Sequence, residues 1–222
     1  MVRTLDIQYH QNRKKRIDYI YRLDKRTFEL KKIIVKFFNN YSKLKLLDIG
    51  TADGLVLSKL NRIFKFKKTI GIDMSKDLLD ANNDTDIDLE IGNAENLRFK
   101  DASFDIITAS AVIEHLNNPE KMLSECYRVL NDKGILILTT PNPFHNRIAE
   151  AIGYFDRDLH IHTFNTSELK RMIRNKGFVI ILSKEFMLFP FFKIPFENSL
   201  ENFLRSIGLG RLMCNQLVVG RK

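Results

Sequence analysis

The 222-residue chain predicts a doubly wound α/β fold: one domain on a mostly parallel, seven-stranded sheet, with a helical extension at the N-terminus. Three observations predict it. Short apolar runs alternate with amphipathic stretches from residue 45 onward, the pattern that builds βαβ units. The runs FDIITA and ILILTT are almost continuously apolar, as strands buried on both faces are. Helix start and stop residues stand between most of the runs.

Residues 13–40 predict a helix. Ile17, Ile20, Tyr21, Phe28, Leu30, Ile33, Ile34 and Phe37 recur at near-helical spacing between charges, and Asn39-Asn40 ends it. Strands are expected at 45–50, 69–73, 87–92, 104–110, 134–140, 178–183 and 214–220. Asp53 and Ser75 stand where N-caps belong, directly after the first two strands. Asn118-Pro119 supplies a cap and a first-turn proline for the helix EKMLSECYRVL, with Gly134 after it. Asn165 and Glu168 have capping-box spacing, and Gly177 stops the helix that follows. The chain thus divides into a basic helical extension, 1–43, and one domain, 44–222.

Composition narrows the function classes. Cys126 and Cys214 lack metal-ligand spacing, which argues against a disulfide framework and for a reducing compartment. The first residues have no apolar core of signal-peptide length. The most apolar stretch, Phe186 to Phe196, holds two prolines and a lysine, and a bilayer span needs about 20 apolar residues. A soluble cytoplasmic protein is the expectation. Residues 1–45 carry 13 Lys+Arg against 4 Asp+Glu, whereas the rest of the chain is balanced. That arm suits either a solvated helix face or an anionic partner such as RNA or a membrane surface.

In doubly wound sheets ligands sit beyond the carboxyl ends of the strands. After the first strand comes Asp48-Ile49-Gly50-Thr51-Ala52-Asp53-Gly54, whose small residues permit a tight bend before a helix. A dinucleotide fingerprint would require glycine at 50, 52 and 55, but Ala52 and Leu55 stand there; no Gly-Lys-Ser/Thr phosphate loop follows either. Asp73 ends the second strand, where a carboxylate can accept hydrogen bonds from a ribose diol.

The ordered set LLDIGTADG, GIDMS, GNAENLRF, FDIITASAVIEHL and ECYRVLNDKGILILTTPNP resembles the class I S-adenosylmethionine-dependent methyltransferases. It is most similar to the group containing quinone-biosynthesis and sugar or lipid O-methyltransferases. The resemblance covers residues 44–143 tightly and 160–178 loosely. It implies a Rossmann-like domain that binds S-adenosyl-L-methionine and releases S-adenosyl-L-homocysteine. Gly50, Ala52 and Gly54 would pass under the methionine part, with Asp48 near its ammonium group. Asp73 would hold the ribose hydroxyls and Met74 would pack on the adenine. Asn93 would meet the adenine amino group, where the family usually has Asp, and an amide oxygen still accepts there. The N–H of Ala94 would face an adenine nitrogen, and Ser110 would lie beside the methionine ammonium. No metal is implied.

For an acceptor hydroxyl, a base at the methyl group helps. His115, His160 and His162 are the candidates, His115 and His160 foremost, with Glu114 in reserve. The resemblance also implies an acceptor-covering insertion at 185–212. Phe186 to Phe196 holds five of the 17 phenylalanines, which suits an apolar acceptor pocket, a membrane contact, or packing onto the sheet. The expected acceptor is a small molecule: quinone, lipid or sugar-like, through oxygen. RNA is a second possibility because of the basic arm, but no Asn-Pro-Pro-Tyr motif follows the fourth strand and no Pro-Cys nucleophile is present. A catalytically silent cofactor-binding scaffold is a third.

Overall fold

The computed structural model describes residues 15–145, 147 and 161–222. Its seven strands are β1 (Lys45–Ile49), β2 (Lys68–Asp73), β3 (Asp88–Ile91), β4 (Phe104–Ser110), β5 (Leu130–Pro141), β6 (Val179–Phe186) and β7 (Asn215–Arg221). They form one sheet in the order β3-β2-β1-β4-β5-β7-β6. Pairings are parallel through β5, and β7 runs antiparallel to both its neighbours. β1 lies between β2 and β4, so strand order reverses there and the loops after these strands diverge to leave a crevice.

Alternation along each strand sorts the core into two layers. Leu47, Ile107, Leu136 and Leu138 enter one cluster, whereas Leu46, Ile106, Ile135 and Ile137 enter the other. The helices are α1 (Ile17–Phe37), α2 (Leu55–Phe64), α3 (Lys76–Leu79), α4 (Pro119–Val129), α5 (Thr166–Asn175) and α6 (Glu197–Ser206). α4 and α5 cover the first layer through Met122, Leu123, Cys126, Leu169 and Ile173. α2 covers the second through Leu57, Leu60 and Phe64.

α1 belongs to that second layer. Its Leu30, Ile33 and Ile34 are fully buried against the sheet and α2, worth roughly 2 kcal/mol each. The basic N-terminal helix is therefore an integral wall of the domain between 17 and 37, although residues 1–14 of the arm lie outside the described residues. Polar pairs lock it as well. Lys25 is buried between Glu197 and Glu201 of α6 at 3.2 and 3.0 Å and donates to Asn198 at 2.9 Å. The Tyr21 hydroxyl also reaches Glu197, and Glu29 pairs with Lys184 of β6.

The cap expectations divide. Asn118 accepts from the Lys121 N–H, and Asn165 with Glu168 forms a complete capping box. Asp53 is not the α2 cap: Gly54 holds that position in the left-handed region, φ +68°, with no side-chain cap bond. Ser75 sits at the start of α3, but its hydroxyl caps nothing. β5 begins at Leu130, four residues ahead of Gly134, because the stretch after α4 already pairs with Phe104. Cys126 and Cys214 are free and buried.

Candidate active site

Three bends meet at the carboxyl ends of β1, β2 and β4. After β1 the chain turns through Gly50 and Ala52, both at positive φ, +68° and +52°. Backbone hydrogen bonds from Gly50 and Thr51 to the Ile72 carbonyl, 2.8 and 3.0 Å, bind this bend to β2. Asp73 completes the tie: one carboxylate oxygen accepts the Ala52 N–H at 2.8 Å, the other the Ser75 N–H at 2.9 Å. A carboxylate offers about four lone-pair positions, so one on each oxygen remains for a diol. Met74, next in the chain, is 41% exposed.

Glycine is required at 50 for a reason the sequence did not reveal. A Cβ there would stand 2.2 Å from Val112 in the turn after β4. That close approach brings the β1 and β4 bends together. Gly54 makes a second close approach, to Asn82, Ile87 and Leu89, and is buried. Its missing side chain, like that of Gly50, makes room for protein packing, while Gly50 and Ala52 remain partly exposed at the bend.

Asp48 is 5% exposed, and Thr108, its register partner on β4, donates to it at 2.6 Å. Burial pushes its carboxyl up to about 6; Thr108 and Thr51 hydroxyls oppose that, and the Asp73 charge adds to it. Among the described residues no cation pairs with it. A buried carboxylate without a counter-charge is a place where an ammonium group is stabilised.

The far wall follows β3. Asn93 is exposed and its side-chain oxygen accepts the Glu95 N–H at 2.8 Å, leaving one lone pair and the NH2 for a ligand. Ala94 is buried in the core, so it can offer only its backbone N–H. This loop is stapled by a residue sequence reasoning missed. Arg128 of α4 donates to the Phe99 and Leu97 carbonyls at 2.8 and 2.9 Å, while Glu125 accepts the Leu97 N–H at 2.8 Å. Arg128 also pairs with Glu125 and Asp101, but an arginine late in a helix carries no signal for the carbonyls it staples, because they are backbone atoms.

Beyond β4 the chain bends at Ala111, φ +57°, and forms a 3-10 turn over Ile113–His115. His115 is half-buried there. Glu114 is 1% exposed; burial raises its pKa, against lowering by His115 and the Thr140 hydrogen bond. Thr140 donates to one Glu114 oxygen at 3.0 Å, and the Glu114 carbonyl accepts the Ile161 and His162 N–H groups, both at 3.0 Å. The loop before α5 is thus held to this turn. His160 lies outside the described residues. Buried polar atoms without partners gather at these strand ends: Ser110 Oγ, Thr139 Oγ1, the second Glu114 oxygen and His162 Nε2. Ser110 and Thr139 are register partners on β4 and β5. Buried polar groups are normally satisfied, so such a set calls for partners from ordered water or a ligand.

A carboxylate poised for a diol, an exposed Met74 beside it, an unpaired buried acid and unsatisfied hydroxyls fit a charged nucleoside. A family model described as a methyltransferase domain matches residues 19–183. The chain belongs to the class I S-adenosylmethionine-dependent methyltransferases. Its seven-stranded sheet with the last strand reversed is the corresponding fold. The demethylmenaquinone methyltransferase of Thermotoga maritima is 28% identical over 171 residues, 70% of this chain and 75% of that protein. The mitochondrial ubiquinone biosynthesis O-methyltransferase of Saccharomyces cerevisiae is 31% identical over 122 residues, 51% of this chain and 39% of that protein. The latter match therefore spans about two fifths of that relative's length. Among solved structures, an S-adenosylmethionine-dependent methyltransferase from Mesorhizobium loti superposes with a TM-score of 0.65 at 16% identity, covering 86% of this chain and 96% of that one. Its likeness is one of fold.

Proposed function

We propose that this methyltransferase domain transfers a methyl group from S-adenosylmethionine to an oxygen of a small-molecule acceptor of the quinone, lipid or sugar-like class. The reading is carried by the half-buried His115 standing beside unpartnered buried polar atoms at the ends of β4 and β5. When bound, the cofactor supplies a methyl group already activated on sulfonium. Asp73 would hold the ribose, Met74 and Asn93 the adenine, and Asp48 with Ser110 the methionine end. His115 would accept the proton of an acceptor hydroxyl as the oxygen becomes nucleophilic. The staples from Glu114 to Thr140 and to the Ile161–His162 backbone keep that turn in place, so the acceptor is positioned rather than captured by chance. The quinone-pathway names of the two curated relatives support an apolar acceptor.

The test is incorporation of radiolabelled methyl from S-adenosylmethionine into fractionated cell extract. Label in the solvent-extractable small-molecule fraction supports the reading. Label in RNA replaces it with the nucleic-acid reading. Tight S-adenosylhomocysteine binding with no label anywhere makes the chain a silent cofactor binder.

A further inference from the structure

α6 is an amphipathic helix turned inside out. Its acids face the protein: Glu197 and Glu201 are 5% and 1% exposed and sit on Lys25 of α1. Glu201 also accepts the Met187 and Leu188 N–H groups at 2.8 and 3.2 Å, tying the segment before it. The opposite stripe is apolar and faces water. Phe196, Leu200, Phe203 and Ile207 recur at spacings of four, three and four, one helical face, and are 86, 38, 58 and 53% exposed. The loop leading into α6 continues this surface with exposed Phe189, Phe191 and Phe192; the Phe189 and Phe192 rings stack with centroids 6.4 Å apart. Phe186 does not take part, being fully buried in the sheet core.

Charge settles which occupant this face fits. Between residues 189 and 212 both acids are internal, whereas Lys193 and Arg211 are exposed. Outward apolar groups in a segment whose exposed charges are cations, with the anions withdrawn, complement an interface of acyl chains beneath anionic headgroups. A second copy of the chain fits poorly, since an isologous contact would set these cations against themselves with no exposed acid of the segment to answer them. No helix among the described residues is long and apolar enough to cross a bilayer, so contact would be with the surface.

We propose that the face formed by Phe189, Phe191, Phe192, Phe196, Phe203 and Ile207 docks on a membrane surface bearing anionic lipid headgroups. Docking there involves none of the residues assigned to the cofactor, and it would present an acceptor dissolved in the bilayer to the domain directly.

The experiment is co-sedimentation of the full chain with vesicles of phosphatidylcholine alone and of equal parts phosphatidylcholine and phosphatidylglycerol. Binding to the mixed vesicles, at least about tenfold stronger than to neutral ones and weakened by salt, is expected. The exposed-site variants Phe196→Ser and Phe203→Ser together lower that binding by about tenfold or more, while S-adenosylhomocysteine affinity and melting temperature stay at wild-type values. Lys193→Glu with Arg211→Glu removes the preference for anionic vesicles. Failure to bind mixed vesicles overturns the proposal. So does a concentration-dependent dimer that the phenylalanine variants dissociate, since the face would then be a homodimer contact. Neither readout uses turnover, so failure here leaves the methyl-transfer reading standing, and failure of that reading leaves this one standing.

Discussion

Asp73 accepts the backbone N–H of Ala52 at 2.8 Å, a side-chain tie that completes the backbone bonds from Gly50 and Thr51 to the Ile72 carbonyl. It steadies the β1 bend against the end of β2 while keeping one lone pair on each carboxylate oxygen open to a ligand, in the proposed reading the ribose. Asp73→Ala removes two hydrogen bonds of the charged type, each worth about 1.5–3 kcal/mol. Calorimetry should show S-adenosylhomocysteine affinity falling by about a hundredfold or more. A loss of no more than about fivefold would mean the ribose is held elsewhere.

Asp48 carries a pH signature. Its carboxyl is raised from 3.8 to about 6 by burial, with the Asp73 charge adding to the effect. The folded chain therefore holds this proton more tightly than the unfolded chain. The associated stability is fully present below about pH 4 and is lost as pH rises through about 6. Asp48→Asn should then melt higher than wild type at neutral pH, by at most about 3 kcal/mol, and the gap should close toward pH 4. Binding runs the other way. An ammonium group beside Asp48 favours the ionised acid, so wild-type cofactor affinity weakens as pH falls below about 6, and the Asn variant binds weakly with a flat pH profile.

His115→Ala tests the proton acceptor. Turnover with the true acceptor should fall by about 10²–10⁴-fold, with cofactor affinity unchanged, since His115 is not among the residues proposed to hold the nucleoside. Normal turnover would assign the role to another group. His162, whose Nε2 is buried without a partner, is the next substitution to make.

Lys25→Ala leaves Glu197 buried without its cation and Glu201 with only Arg205 at 3.8 Å, and such a loss costs about 3–5 kcal/mol. Denaturant unfolding should show that drop. Lys25→Met combined with Glu197→Gln and Glu201→Gln should recover most of it, because the unpaired charges are then gone. A single Lys25→Ala that unfolds like wild type would mean α1 is held by its apolar face alone.

The fold and the bends at the strand ends are legible because their signals are local. β4 was located residue for residue at 104–110, since a strand buried on both faces writes an unbroken apolar run. The capping box at Asn165 and Glu168 spans only one turn. The sequence points to Asp53 as the α2 cap, but Gly54 takes the left-handed position, because two adjacent residues with turn chemistry compete for it. Thr108 carried a signal that sequence reasoning passed over: a hydroxyl inside an apolar strand, opposite Asp48, has to find a polar partner.

By itself the sequence determined the alternation of strands and helices, the small-residue bend at 50–54 and the acid at 73, because each rests on neighbours along the chain. Tertiary structure alone decided that Val112 packs where a side chain at Gly50 would stand, that Arg128 staples the loop after β3, and that Lys25 draws the acids of α6 inward. Those partners lie tens of residues or more apart, and no local pattern encodes which groups meet across such distances. The outward apolar stripe of α6 follows from the last of them: once a buried cation claims one face of a helix, the other face must turn to the surroundings.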